Sequence, residues 1–464
     1  MCPVREDLPL WTFHEIAEAT GGQASRAFTV SGVAFDSREV GPGDLFVALK
    51  GEAADGHAFV DRAFAAGAAG ALVSSPVDHP HILVPDTMAA LEALGRAARA
   101  RAPAKIIGVT GSVGKTGTKE ALFAALDRMR PGKVHRSVKS YNNHVGVPLS
   151  LARMPRDTLF GIFEMGMNHA GELSALTRLV RPHAALVTAI APAHIEFFGT
   201  IEAIARAKAE IFEGLEPGGT AIIPYDSPQR DLLIAAARDH GAAILTFGMG
   251  EGADVRALES VPARDGGSLV TARLPQAELC FTVALPGDHW VSNALAVLAV
   301  VEAVGGDLAA AGLALAEMSG LPGRGARTRV KAGMGEALII DESYNANPLS
   351  MAATLAQLGR EKARRRVVVL GAMKELGARS AEMHAELAGP IEHAGVDVAI
   401  LVGDEMAPLA SRLEAHLTLE HVPDASEAAR ALREVLSAGD AVLVKGSNSV
   451  GLSRVVAALT GGED

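Results

Sequence analysis

The amino-acid sequence predicts an α/β protein of three domains: a small α/β domain, a central parallel-sheet domain with a phosphate-binding loop, and a C-terminal Rossmann-like α/β domain. Three observations predict it. At 464 residues the chain is too long for one ordinary core. From Lys105 onward short apolar runs alternate with helical segments, the pattern of a parallel sheet covered by helices. Past Leu321-Pro322-Gly323-Arg324-Gly325 the alternation restarts, which calls for another sheet. Boundaries at Pro103 and near Leu321 give units 1–103, 104–321 and 322–464.

In the first unit residues 28–35 read as a strand, Gly41-Pro42-Gly43-Asp44 as a turn, and residues 45–49 as a second strand. A helix is expected over residues 57–66 and stops at Gly67. A strand over 70–74 follows, then an Ala/Arg-rich helix over 88–100 that ends before Pro103. The central unit shows strands at 106–109, 159–163, 185–190 and 221–223, and a helix over 293–304 closed by Gly305-Gly306. The last unit shows strands at 337–340, 367–370, 398–402 and 441–444.

Bulk chemistry narrows the function. Hydrophobic residues make up 49% and charged residues 21%, so the chain is globular. Acids outnumber Lys and Arg by 54 to 43, and the net charge of -11 repels polyanions, so nucleic acid is a poor partner. Small anions stay possible, because Gly-rich loops and helix N-termini bind phosphate within acidic proteins. Cys2 and Cys280 build neither a disulfide framework nor a metal cluster, which suits a reduced cytoplasmic setting. The opening residues lack the apolar core of a signal peptide. The longest apolar run, 294–301, meets Glu302 far below membrane-spanning length, so no membrane span is expected.

The most informative segment is Thr110-Gly111-Ser112-Val113-Gly114-Lys115-Thr116, which follows an apolar strand and opens a helix running through Met129. Backbone N–H groups of such a loop surround phosphate oxygens, and the helix N-terminus adds positive potential. Lys115 would reach the β- and γ-phosphates and the Thr116 hydroxyl would hold Mg²⁺. A strict Walker pattern needs glycine where this chain has Val109. The competing reading is a Gly-rich turn with an exposed lysine.

Three further residues suit a metal site. Glu164 ends the strand 159–163, and open α/β sheets bind ligands at the carboxyl ends of their strands. A helix-capping acid is the plain alternative. His194 follows the strand 185–190 at the same sheet edge; a lone histidine there is otherwise a hydrogen-bonded loop residue. Lys208 is the odd one. In a helix over 201–215 it falls within the apolar stripe of Ile204, Ile211, Phe212 and Leu215. A buried ammonium is costly, so Lys208 pairs with an anion, changes its chemistry, or snorkels to water.

Together these pieces resemble the Mur ligase family over essentially the whole chain. The family's ATP loop, T-G-[ST]-x-G-K-[ST], fits residues 110–116, including the departure from Walker spacing. The resemblance implies that Glu164 and His194 are Mg²⁺ ligands and that Lys208 is carbamylated, turning a cation into an anion that helps to hold a second Mg²⁺. It also implies that Asn293, within Gly287-Asp-His-Trp-Val-Ser-Asn293, meets the adenine, that Arg324 approaches the ATP phosphates, and that Asp341 lies near the ribose. Asp288 stands where arginine is commoner, and no role is read for it.

Within the family, Asp36-Ser37-Arg38, the stretch from Gly41, and Asp55-Gly56-His57 resemble the UDP-binding first domain of the two later ligases. The Asp-Asn-Pro-Arg motif usual in the diamino-acid-adding member is absent. Asp341-Glu-Ser-Tyr-Asn-Ala-Asn-Pro348, Glu164-Met-Gly-Met-Asn-His169, Leu370-Gly-Ala-Met-Lys-Glu-Leu-Gly377 and Tyr141-Asn142-Asn143-His-Val-Gly-Val-Pro148 resemble the member that adds D-alanyl-D-alanine to UDP-N-acetylmuramoyl-tripeptide in peptidoglycan precursor synthesis. The expected chemistry is ATP-dependent carboxylate activation through an acyl phosphate with two Mg²⁺ ions. Ser37 and Arg38 are the expected UDP contacts, and Asn142, Asn143, Tyr344, Asn345 and Asn347 further substrate contacts. A monomer that closes on its substrates about Pro103 and Gly323 is expected. The diamino-acid ligase or a folylpolyglutamate synthetase, and a nucleotide-dependent switch that ligates nothing, are the rival readings.

Overall fold

The structure, a computed structural model, describes residues 8–51, 54–263, 266–413 and 417–461; Cys2 lies outside them, and Cys280 is an exposed free thiol. Three sheets carry the three domains. The first domain holds a five-stranded sheet in the order Gln23–Ala24, His81–Leu83, Gly70–Val73, Asp44–Val47, Gly32–Ala34, parallel except at Gln23–Ala24.

The central sheet has nine strands. From Val134–Arg136 the order runs through Phe160–Glu164, Lys105–Thr110, Ala184–Val187, Thr220–Pro224, Ala243–Gly248 and Val255–Pro262, all parallel. Ser268–Arg273 and Glu278–Val283 then extend it antiparallel. The C-terminal sheet has six strands, ordered Ala326–Ala332, Gly335–Glu342, Asp440–Lys445, Arg365–Gly371, Val398–Val402, Thr418–Val422, with only the first pair antiparallel.

The pleat explains the central layers. Along Lys105–Thr110, Ile106 packs with Leu176 and Ile204 on one face, while Ile107 and Val109 pack with Leu122 and Leu298 on the other. All are fully buried, and each such side chain is worth about 1.5–3 kcal/mol. The middle of the parallel part of the sheet therefore has no wet face, which is why its strands read as continuous apolar runs. Lys105–Thr110 lies between Phe160–Glu164 and Ala184–Val187, with Glu164 level with Val109 and Val187 level with Thr110. Three carboxyl ends thus open into one crevice where the strand order reverses.

Several expected elements differ. The strand read over 28–35 is two: Thr29–Val30 pairs with Trp11–Thr12, and Gly32–Ala34 joins the five-stranded sheet. Between them the Ser31 N–H bonds the Gly43 carbonyl, so the chain changes sheet there. The helix read over 57–66 opens as a 3-10 turn, Gly56–Phe59, capped by Asp55, and turns α over Val60–Ala65. The helix read over 201–215 is α over Ile201–Ala209 and tightens to 3-10 over Glu210–Gly214. The strand read over 185–190 stops at Val187. Among the described residues no helix is long and apolar enough to cross a membrane.

Candidate active site

The phosphate-loop segment forms the crevice floor. Lys105–Thr110 ends at Gly111, where a Cβ would sit 1.9 Å from Thr188 Oγ1, so glycine is required. The helix Lys115–Met129 starts behind Gly114, whose φ of 85° suits glycine and whose Cβ would lie 2.9 Å from Asn293 Oδ1. Ser112 pins the loop: its N–H donates to Ala189 O at 2.8 Å and its hydroxyl to Ala191 O at 2.9 Å. Lys115 Nζ donates to Gly111 O at 2.6 Å, which lays the ammonium over the loop. Burial lowers the Lys115 pKa; Glu164 opposes that shift and Arg324 adds to it.

Thr116 and Glu164 meet at the head of this helix. The Thr116 hydroxyl donates to Glu164 Oε2 at 2.9 Å, and Asn142 Nδ2 donates to Oε1 at 2.8 Å. Lys119 Nζ lies 3.7 Å from Oε2 and donates to Lys139 O at 2.5 Å. Lys119 thereby ties Glu164 to the loop that carries Ser140 and Asn142. The same loop reaches the first domain: Glu39 accepts from the Tyr141 hydroxyl at 2.8 Å and pairs with Lys139.

His194 and Lys208 close the far wall. His194 takes a left-handed conformation, φ 59°, at the N-cap of the short helix Ile195–Phe198, and pairs with Glu375 of the C-terminal domain. Burial pushes the imidazole below its usual range, and Glu375 pulls it back. Lys208 is only 2% exposed and has no ion-pair or hydrogen-bond partner among the described residues. Burial, and secondarily Lys115, push its pKa well below that of an ordinary lysine.

One cavity of about 310 Å³ is lined by Lys115, Thr116, Glu164, His194 and Lys208 together. Asn293 and Trp290 line it from the helix Asp288–Ala303, and Arg324 from the C-terminal domain. Arg324 stacks 4.0 Å over the Tyr344 ring and donates to Ser140 Oγ at 3.2 Å, bridging two domains. Among the described residues no three His, Cys, Asp or Glu side chains converge. The protein alone therefore offers a sparse donor set, the kind that suits Mg²⁺ bound through one carboxylate, a hydroxyl and substrate phosphates. The Thr116–Glu164 oxygen pair fits that description.

Comparison with known proteins gives the family. Three family profiles match in chain order: the Mur ligase family catalytic domain at residues 29–104, the Mur ligase middle domain at 109–301, and the Mur ligase glutamate ligase domain at 326–448. The chain belongs to the Mur ligase family. Among its relatives, the UDP-N-acetylmuramoyl-tripeptide--D-alanyl-D-alanine ligase of Escherichia coli K12 is 34% identical over 97% of this chain and 98% of its own. A crystal structure of MurF from Acinetobacter baumannii superposes with a TM-score of 0.84 at 31% identity, covering 98% of this chain and 100% of that one. MurF ligase from Thermotoga maritima in complex with ADP gives 0.77 at 27% identity, covering 93% and 97%.

Not every residue expected from the Mur ligase resemblance lines the cavity. Thr110 is fully buried beneath the loop, and Gly111 serves through its carbonyl to Lys115. Asp341 is a support: one oxygen accepts from Gly323 N–H at 2.7 Å and the other from the Ser343 hydroxyl at 2.6 Å, fixing the turn that presents Arg324. Asn143 Oδ1 accepts from the N–H of Gly146, the first residue of the helix Gly146–Ala152, at 2.9 Å. Ser37 and Arg38 sit in the first domain; Ser37 is buried, and Arg38 pairs with Asp36, holding that carboxyl down at about 2. Asn142, Tyr344, Asn345 and Asn347 do line the cavity.

Sequence reasoning missed Ser140, His289, Trp290, Glu342 and Lys445, all of which line it. Glu342 and Lys445 end parallel strands, Gly335–Glu342 and Asp440–Lys445, so the strand-end rule that found Glu164 applies to them too. No local signal marks Ser140.

Proposed function

We propose that this chain joins D-alanyl-D-alanine to UDP-N-acetylmuramoyl-tripeptide at the expense of ATP, through an acyl phosphate, in peptidoglycan precursor synthesis. The observation that carries this reading is the 34% identity, across 97% of the chain, to a ligase named for that reaction. The cavity supplies matching parts.

Two anions must meet in the first step, the γ-phosphoryl group and the tripeptide carboxylate. Lys115 and Arg324 line the cavity and would offset the repulsion; preorganised charges of this kind are worth about 10²–10³ in rate apiece. A carboxylate oxygen bonds to phosphorus as the bridging P–O bond to ADP breaks. The dipeptide amine then attacks the acyl carbon, loses a proton, and phosphate departs with the electrons of the C–O bond. Domain closure about Pro103 and Gly323 would keep water from the acyl phosphate.

Thr116 and Glu164 would hold one Mg²⁺, and His194 with carbamylated Lys208 a second; when bound, these ions neutralise charge on the phosphates and the acceptor carboxylate. Lys208 is suited to carbamylation because its amine is buried, unpaired and biased to the neutral form. The neutral nitrogen adds to the carbon of CO₂ and releases a proton, leaving an anionic carbamate in place of the neutral amine. The reading carries a monomeric chain in the cytoplasm. Phosphate release with tripeptide plus D-Ala-D-Ala tests it. Release only with the dipeptide precursor and a free diamino acid, or release with no amine acceptor, would replace it.

A further inference from the structure

The C-terminal-domain wall of the cavity carries a buried Lys445–Glu342 ion pair and an unpartnered amide nitrogen on Asn347 that phosphoryl transfer leaves unused. Lys445 ends the strand Asp440–Lys445 and is 2% exposed. Its ammonium donates to Asn345 O at 2.9 Å and stands 3.6 Å from Glu342 Oε2, its parallel-strand neighbour. The second distance is longer than a hydrogen bond, so the three donors of the ammonium are incompletely used.

Beside it, Asn347 is 3% exposed. Its Oδ1 accepts from Ser350 N–H at 2.9 Å as the N-cap of the helix Pro348–Arg360, while its Nδ2 has no partner. A buried amide nitrogen without an acceptor is costly unless a ligand supplies one. Asn347, Ser350 and Lys445 line the same cavity, at the positive end of a thirteen-residue helix. A buried lysine, an orphaned donor and a helix N-terminus therefore border one cavity.

We propose that Lys445 and Asn347 Nδ2 receive the carboxylate of the amine-bearing substrate, the free C-terminus of D-Ala-D-Ala. The inference rests on the ligase reading above. The ATP phosphates have the loop, Lys115 and Arg324, and the UDP moiety is assigned to the first domain, which leaves the dipeptide carboxylate among the anions without a site and the one carried by the amine-bearing substrate. An extended dipeptide spans about 7 Å, which sets its amine well apart from the group that anchors it. The anchor makes a free carboxylate a specificity requirement and aims the amine toward the wall of His194 and Lys208.

The test compares D-Ala-D-Ala with its C-terminal carboxamide in the wild-type chain and in Lys445→Met. Charge-assisted hydrogen bonds of this type set the scale. The wild type should show a KM for the carboxamide about 30-fold or more above that for the acid. Lys445→Met should raise the KM for the acid by about the same factor and leave that for the carboxamide unchanged, with the KM for ATP and for UDP-tripeptide within about twofold of wild type. A wild-type chain that uses acid and carboxamide alike overturns the assignment without any variant. A rise confined to the ATP KM also overturns it, giving Lys445 to the nucleotide. A wild-type chain that ligates neither dipeptide overturns the ligase reading and this assignment together.

Discussion

The imidazole of His194, in the middle domain, pairs through Nδ1 with the carboxylate of Glu375, in the C-terminal domain. The contact is built from both sides. Glu375 sits in a left-handed conformation, φ 62°, and its carbonyl accepts from Glu196 N–H at 3.3 Å. His384 accepts from Met373 N–H and Ser447 from Lys374 N–H, each at 2.9 Å, so the loop is held from behind. With Nδ1 so engaged, the other ring nitrogen of His194 is the one left for a metal or substrate.

Glu375→Gln removes the charge that orients His194. Loss of such a partner typically costs about 10–100-fold in metal affinity or activity. We expect a fall in kcat of that order and a higher Mg²⁺ requirement. Glu375 raises the His194 pKa against burial, so without it the acid limb of the pH–rate profile moves to lower pH. Titrations of rate against Mg²⁺ and against pH check both.

Lys208→Ala should abolish ligation, with partial rescue by small carboxylates that replace the carbamate. The unmodified residue also makes a stability prediction. Its folded pKa lies well below the ordinary 10.5, so between those values the unfolded chain holds the extra proton and stability rises with pH. In CO₂-free buffer Lys208→Met should therefore melt higher than wild type near pH 7, and the gain should shrink as pH approaches 10.5. Calorimetry at several pH values reads it.

Much of this was legible in the sequence, and the reasons differ by element. The strand–loop–helix of residues 105–129 was readable because period, glycine and Lys-Thr all agree there. Lys208 was readable as an anomaly, a charge in an apolar stripe, even though the helix tightens at Glu210. The antiparallel extension, Ser268–Arg273 and Glu278–Val283, was not, because its exposed faces dilute the apolar signal. Asp341 and Asn143 were recognisable as polar residues, but only coordinates show them bonded to Gly323 N–H and Gly146 N–H. Lys445 and Glu342 follow a strand-end rule that was applied in the central sheet alone.

Asp341→Ala leaves Gly323 N–H and the Ser343 hydroxyl without their acceptor, at a cost of about 1–3 kcal/mol in stability. Arg324 should lose its fixed turn, so the KM for ATP should rise while that for D-Ala-D-Ala stays near wild type. Thermal melts and substrate titrations separate the two effects.

Lys115→Ala removes the cation over the loop. We expect ligation to fall by at least about 10²–10³, with UDP-substrate binding retained in the first domain. Isothermal titration with the UDP-tripeptide, beside the activity assay, checks that division.

The central claim is that these strand-end side chains pass a phosphoryl group to a carboxylate. Its most direct test uses UDP-tripeptide carrying ¹⁸O in its terminal carboxylate, with ATP and D-Ala-D-Ala, and mass analysis of the phosphate released. Transfer through an acyl phosphate puts one ¹⁸O in every phosphate. Unlabelled phosphate formed alongside ligated product would contradict the account.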